Sequence, residues 1–182
     1  LLANGVPSVP GRPERDVILA IGNPEAVELG QRGTVTEADL NRLFGEAGQG
    51  SAETVEQRRA GELRDALDGV HELLDLHQTS CETPPLAVGP ATSAHLRQTA
   101  RLGLEILVSG VGKLYGGGML SEWVDRRGGL GLTVETGRKG SASSLNAARD
   151  VARCFLVGGD PLIERVRVYE VEEPLFAPAP GL

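Results

Sequence analysis

Val70-His71-Glu72-Leu73-Leu74-Asp75-Leu76-His77 is a short apolar segment that ends on an imidazole, and Leu130-Gly131-Leu132-Thr133-Val134-Glu135 is a second that ends on a carboxylate. Apolar runs of this length read as buried strands. In α/β proteins the loop-bearing carboxyl ends of such strands are where chemistry is kept. The two segments therefore predict an α/β domain that carries His77 and Glu135 at strand ends.

The rest of the chain alternates in the same way. Strands are expected over residues 16–21, 86–88 and 105–109. The first of these, Asp16-Val17-Ile18-Leu19-Ala20-Ile21, is stopped by Gly22-Asn23-Pro24 and reads as buried. Helices are expected over 52–68, 94–104, 119–127 and 144–156, with one turn more within 25–31. Strand and helix in alternation give a three-layer α/β domain. Arg165-Val166-Arg167-Val168-Tyr169-Glu170-Val171 alternates strictly, which marks a half-exposed strand of an antiparallel sheet. It is expected to open a β-rich second domain, so the division is residues 1–160 and 161–182. Leu1-Leu2-Ala3-Asn4-Gly5 reads as the last turn of a helix stopped by Asn-Gly, and 177–182 as a Pro-rich tail.

The bulk properties narrow the function. With 182 residues and 40% hydrophobic content, one sizeable core is the expectation. A net charge of −7 without any lysine or arginine run argues against nucleic acid and anionic lipid, and favours a small-molecule substrate. No stretch approaches the roughly 20 apolar residues that span a bilayer. Cys81 and Cys154, two and far apart, fit incidental thiols in a reducing, cytoplasmic setting. Oligomeric state is left open, a homo-oligomer included.

Three constellations carry possible chemistry, each with an ordinary reading beside it. His77 is either a hydrogen-bonded strand histidine or a neutral imidazole ligand to zinc, with Asp75 placed to support it from behind. Glu135 is either a solvated carboxylate or a general base. Asp39-Leu40-Asn41-Arg42 caps a helical turn ahead of Leu43 and Phe44, and also offers Asn41 and Arg42 to an anionic substrate, Arg42 bidentately. The other histidines give no metal spacing: His71 lies on the same strand, and His95 sits in a helix where no acidic partner is apparent. Tyr115-Gly116-Gly117-Gly118 lacks the Lys-Ser/Thr of a phosphate loop. Its glycines read as a close backbone approach, with Tyr115 packing or lining the site. An imidazole, a polar and guanidinium clamp and a strand carboxylate are the parts of a metal-assisted hydrolase.

Taken in order, Gly22-Asn23-Pro24-Glu25-Ala26, Arg32, Asp39-Leu40-Asn41-Arg42-Leu43-Phe44, Asp75-Leu76-His77-Gln78-Thr79 and Val134-Glu135-Thr136-Gly137 resemble the succinylglutamate desuccinylase/aspartoacylase family. The resemblance implies a zinc-carboxypeptidase-like α/β/α domain with a mixed central sheet and the start of a β-rich C-terminal domain. It implies hydrolysis of an amide or ester bond in an N-acylated amino acid or related small molecule. In that scheme His77 is one zinc ligand, and the other two are expected upstream of Leu1 in a His-x-x-Glu motif. Glu135 is the general acid/base, Arg32 helps polarise the scissile carbonyl, and Asn41 and Arg42 grip the substrate carboxylate. The chain is accordingly read as a fragment of a hydrolase that holds zinc poorly by itself. A metal-free carboxylate-binding or regulatory module on the same fold is the competing reading.

Overall fold

Strand β4 (Leu130–Arg138) is buried along most of its length and is the hub of the molecule. In this computed structural model, which describes residues 16–34, 39–45, 54–114, 116–158 and 161–172, it pairs in parallel with β1 (Glu72–Thr79) and antiparallel with β2 (Leu86–Val88). β3 (Ile106–Ser109) runs parallel to β2, and β5 (Arg167–Glu170) parallel to β3. The result is a five-stranded mixed sheet in the order β1-β4-β2-β3-β5. Both faces of β4 are covered, which is why its sequence stays apolar instead of alternating strictly with polar residues.

Helices form the outer layers. They are α1 (Pro24–Glu28), α2 (Val55–Ala66), α3 (Ser93–Arg101), α4 (Val111–Leu114), α5 (Leu120–Arg126) and α6 (Ala142–Val157). Their starts are written in the sequence: Thr54 and Gln57 close a reciprocal capping box on α2, and Thr92 and Ser141 cap α3 and α6. On one face of the sheet, Leu132 and Val134 pack with Leu107, Leu102 and Val151 of α6. On the other, Leu73 of β1 joins Phe44, Leu63 of α2, and Trp123 and Val124 of α5. Adjacent residues of β1 thus serve different layers: Leu74 faces the first cluster and Leu73 the second. Each fully buried leucine or valine here contributes about 1.5–3 kcal/mol relative to exposure.

Three expectations are corrected. Residues 16–21 form no strand, and Ile18, Leu19 and Ile21 are exposed. The carbonyls of Ile21 and Gly22 accept instead from the Arg59 guanidinium, at 2.7 and 2.8 Å, so a side chain of α2 takes the place of a strand neighbour. The alternating segment around Val168 is a strand, but β5 runs parallel to β3 within the central sheet and not in an antiparallel one. It lies at the sheet edge, where all four of its residues are exposed and not only alternate ones. His95 does have an acidic partner, since its Nε2 lies 3.2 Å from Asp125 of α5. The strand ends also extend further than expected, β1 to Thr79 and β4 to Arg138. The expected features of residues 1–5 and 177–182 lie outside the described residues. Cys81 and Cys154 are both free, and no helix among the described residues is long and apolar enough to cross a membrane.

Candidate active site

His77 and Glu135 are direct partners in the parallel β1–β4 register. Registered residues of parallel strands point to the same face, here the face toward α5: two residues back, Thr133 meets Ser121 of α5 at 2.9 Å. Immediately beyond the pair the ladder becomes irregular: regular pairing would set Thr79 opposite Gly137, but it sits opposite Arg138, one residue further along β4. The His77 carbonyl accepts from the Thr136 hydroxyl at 2.9 Å. Such irregularities re-aim side chains at the end of a ladder, and this one falls next to the two ionisable groups.

The imidazole has two polar neighbours on one nitrogen. Its Nε2 lies 3.0 Å from Asp75 Oδ2, on the same face of β1, and 3.4 Å from Asn41 Nδ2. Burial pulls the His77 pKa down, but the hydrogen bond and charge of Asp75, with the charge of Glu135, outweigh it and leave the imidazole above its ordinary value. Glu135 is partly buried, and among the described residues its Oε2 is enclosed without a hydrogen-bond partner. A buried carboxylate oxygen left in this condition is costly to stability and marks a place where a ligand is expected.

Asn41 and Arg42 arrive on a 3₁₀ turn, Leu40–Arg42, capped by the Asp39 carboxylate at the Asn41 N–H. Capping and site roles coexist, because Leu40, Leu43 and Phe44 anchor the turn in the second core cluster. The Asn41 side chain is fixed by its neighbours: its Oδ1 accepts from Leu120 N, at the start of α5, at 2.8 Å. Its Nδ2 is thereby turned toward His77. The three-glycine loop supports this turn from the other side. Gly118 O accepts from Phe44 N at 3.1 Å, and a Cβ on Gly118 would come within 2.4 Å of Arg42 O. Backbone meets backbone there, as read from the sequence. Tyr115 lies outside the described residues.

Arg32 and Arg42 converge on one carboxylate. Arg32 Nη2 donates to Asp39 Oδ2 at 2.9 Å, and Arg42 Nη2 lies 3.6 Å from the same oxygen. Burial pushes Asp39 up, but the hydrogen bond and charge of Arg32, with Arg42 and the Asn41 N–H, carry its pKa below the ordinary carboxylate value. Arg32 remains 62% exposed while Arg42 is 29% exposed, so the former reaches in from the rim. Asp39 is thus more than the cap it was read as. Nothing in its spacing announces the double pairing, which needs the fold to bring Arg32 back across the loop.

The described residues join His77, Asp75 and Asn41 directly, with Glu135 beside His77 on the neighbouring strand and Arg42 and Arg32 linked through Asp39. Catalytic zinc takes three protein ligands, and among the described residues no three His, Cys, Asp or Glu side chains converge on a point that could hold a metal. The donors in hand offer one imidazole and do not by themselves fit the ion. A separate cavity of about 490 Å³ lies by Val70, His71, Trp123, Arg127 and Gly129, at the amino ends of β1 and β4. None of the site residues lines it.

Residues 6–155 match the succinylglutamate desuccinylase/aspartoacylase catalytic domain. Among solved structures, succinylglutamate desuccinylase from Vibrio parahaemolyticus is 22% identical and superposes with a TM-score of 0.65 over 84% of this chain and 50% of its own. The Chromobacterium violaceum succinylglutamate desuccinylase is 19% identical, with a TM-score of 0.66 over 85% and 57%. The product-bound ectoine utilization protein of Ruegeria pomeroyi is 22% identical, with a TM-score of 0.66 over 84% and 50%. At these identities the superpositions show the fold. The chain spans about half the length of the solved relatives, and none of the curated proteins compared with it matches.

Proposed function

The chain belongs to the succinylglutamate desuccinylase/aspartoacylase family, a family of acyl-amino-acid hydrolases, and from that premise we propose that it hydrolyses the amide bond of a small N-acylated amino acid, or a related ester. The observation that carries the proposal is Glu135. Its Oε2 is buried and without a hydrogen bond among the described residues, and its strand partner is His77. A carboxylate so placed takes the proton from an attacking water and returns it to the leaving nitrogen, a transfer that contributes roughly 10²–10⁴ in rate. Arg42 and the outward N–H of Asn41 hold the substrate carboxylate, and Arg32 offers positive charge to the scissile carbonyl.

Zinc belongs to the proposal with His77 as one ligand and the other two donors outside the described residues. When bound, zinc supplies Lewis-acid activation of water. The free Cys81 and Cys154 support a cytoplasmic setting.

The test is release of free amine by the protein from a panel of N-acyl amino acids, alongside metal analysis. Glu135→Gln should lower kcat by about 10²–10⁴ without lowering the melting temperature or the amount of any bound zinc. Near-normal turnover by Glu135→Gln would sink the proton-transfer role. Tight binding of acyl amino acids without amine release would favour the carboxylate-binding module instead.

A further inference from the structure

We infer that Glu56 of α2 is a positioning residue, which fixes the segment 22–34 on the body of the domain and thereby places Arg32 at the site; the inference rests on the hydrolase reading above. Glu56 is fully buried. Its Oε1 collects three donors from that one segment: Asn23 Nδ2 at 3.3 Å, the Thr34 N–H at 2.6 Å, and the Thr34 hydroxyl. A buried carboxylate is tolerated when donors replace its water, and here every one of these donors comes from the two ends of the segment carrying Arg32. The same Asn23 also caps α1, accepting from Ala26 N at 3.1 Å.

Little else holds this segment. Ala26 is its one buried apolar side chain, while Val27 and Leu29 point into solvent at 64% and 58% exposure. Arg59, one turn along α2 from Glu56, donates to the Ile21 and Gly22 carbonyls, and Arg32 itself reaches Asp39. Two charged side chains of one helix therefore clip the start of the segment, and among the described residues its end is held by Glu56 at Thr34 and by the Arg32–Asp39 pair. That end is two residues from Arg32, whose guanidinium reaches Asp39 and through it the Asn41–Arg42 turn. Among the described hydrogen bonds Glu56 meets Asn23 and Thr34 and not Arg32, Asn41 or Arg42, so its influence on Arg32 runs through the backbone at Thr34.

The experiment combines amide hydrogen exchange with steady-state amine release for the protein, Glu56→Ala, Glu56→Gln, Arg32→Ala and the double variant Glu56→Ala/Arg32→Ala. Glu56→Ala should speed exchange at Thr34 and its neighbours by at least about tenfold and leave β1 and β4 protected. Glu56→Gln keeps an acceptor oxygen and should regain most of the protection. In kcat/KM, Glu56→Ala and Arg32→Ala should each cost about tenfold, and the double variant should be no worse than Arg32→Ala alone. Losses that multiply, or exchange at Thr34 unchanged in Glu56→Ala, overturn the inference while leaving hydrolysis intact. If the parent protein releases no amine, the hydrolase reading fails and the exchange comparison still decides whether Glu56 holds the segment. Should Glu56→Ala not fold, Glu56→Gln carries the comparison: the neutral amide oxygen accepts the three hydrogen bonds more weakly than a carboxylate, so its exchange at Thr34 must exceed the parent's.

Discussion

Gly118→Ala should damage the candidate site without touching any ionisable group. The added Cβ would lie 2.4 Å from Arg42 O, 2.8 Å from Arg42 C and 2.9 Å from Arg42 Cα, all backbone atoms of the turn that carries Asn41 and Arg42. Contacts of this kind relax to ordinary separation only if the turn retreats by about 1 Å, which also lengthens the Phe44 N–Gly118 O and Leu120 N–Asn41 Oδ1 hydrogen bonds. Overpacking costs about 1–3 kcal/mol, and a displacement of that size at a substrate-positioning residue costs roughly 10² in rate. Gly116→Ala is the control. Its φ of +61° penalises a side chain, by about 1–2 kcal/mol, yet a Cβ there meets nothing within 4 Å. Urea unfolding should find both variants destabilised to a similar degree, whereas kcat/KM should fall sharply in Gly118→Ala alone. The reasoning is refuted if Gly118→Ala keeps its kcat/KM, or if the two variants lose activity equally.

Asp39 gives a pH signature. Its folded pKa lies below the unfolded one, so its contribution to stability is complete above the unfolded value and is lost as pH falls through the folded value. The stability advantage of the parent over Asp39→Asn should hold at neutral pH and shrink in strong acid; denaturation curves showing a constant gap at all pH would exclude it. Arg42→Ala should raise KM by roughly 10- to 100-fold, the worth of a charged hydrogen bond, and Arg42→Lys should not restore it because an ammonium lacks the guanidinium fork. Full activity in the lysine variant would remove Arg42 from carboxylate recognition.

The sheet and its helices are legible where local pattern and burial agree. Thr54 and Gln57 announce α2, and the apolar run 130–135 announces the most buried strand. Residues 16–21 have the same local signature as a buried strand, yet they lie exposed, because a strand needs a partner and here Arg59 supplies the carbonyls' hydrogen bonds. The register of Val168 was readable as alternation but its direction was not, since alternation reports exposure and says nothing of which neighbour a strand joins. At the site, His77, Glu135, Asn41 and Arg42 stand out by type and by order along the chain. Asp39's double pairing, the His95–Asp125 contact and Glu56's three donors do not, because each depends on residues 22 or more apart in sequence or on a loop that folds back, and residue type alone carries no such information.

The place of β4 between β1 and β2 has a consequence for how the chain reaches this structure. β2, α3 and β3 are consecutive in sequence and can assemble as a local parallel unit, whereas β1 has no sheet neighbour among the described residues except β4, which is encoded beyond all of them. During synthesis β1 must wait as an unpaired edge until β4 emerges and wedges itself between β1 and β2. The closing of that long loop is the slow, high-contact-order event of folding. His77 and Glu135 meet only in that step, so the two side chains cannot come together in any form of the domain assembled without β4.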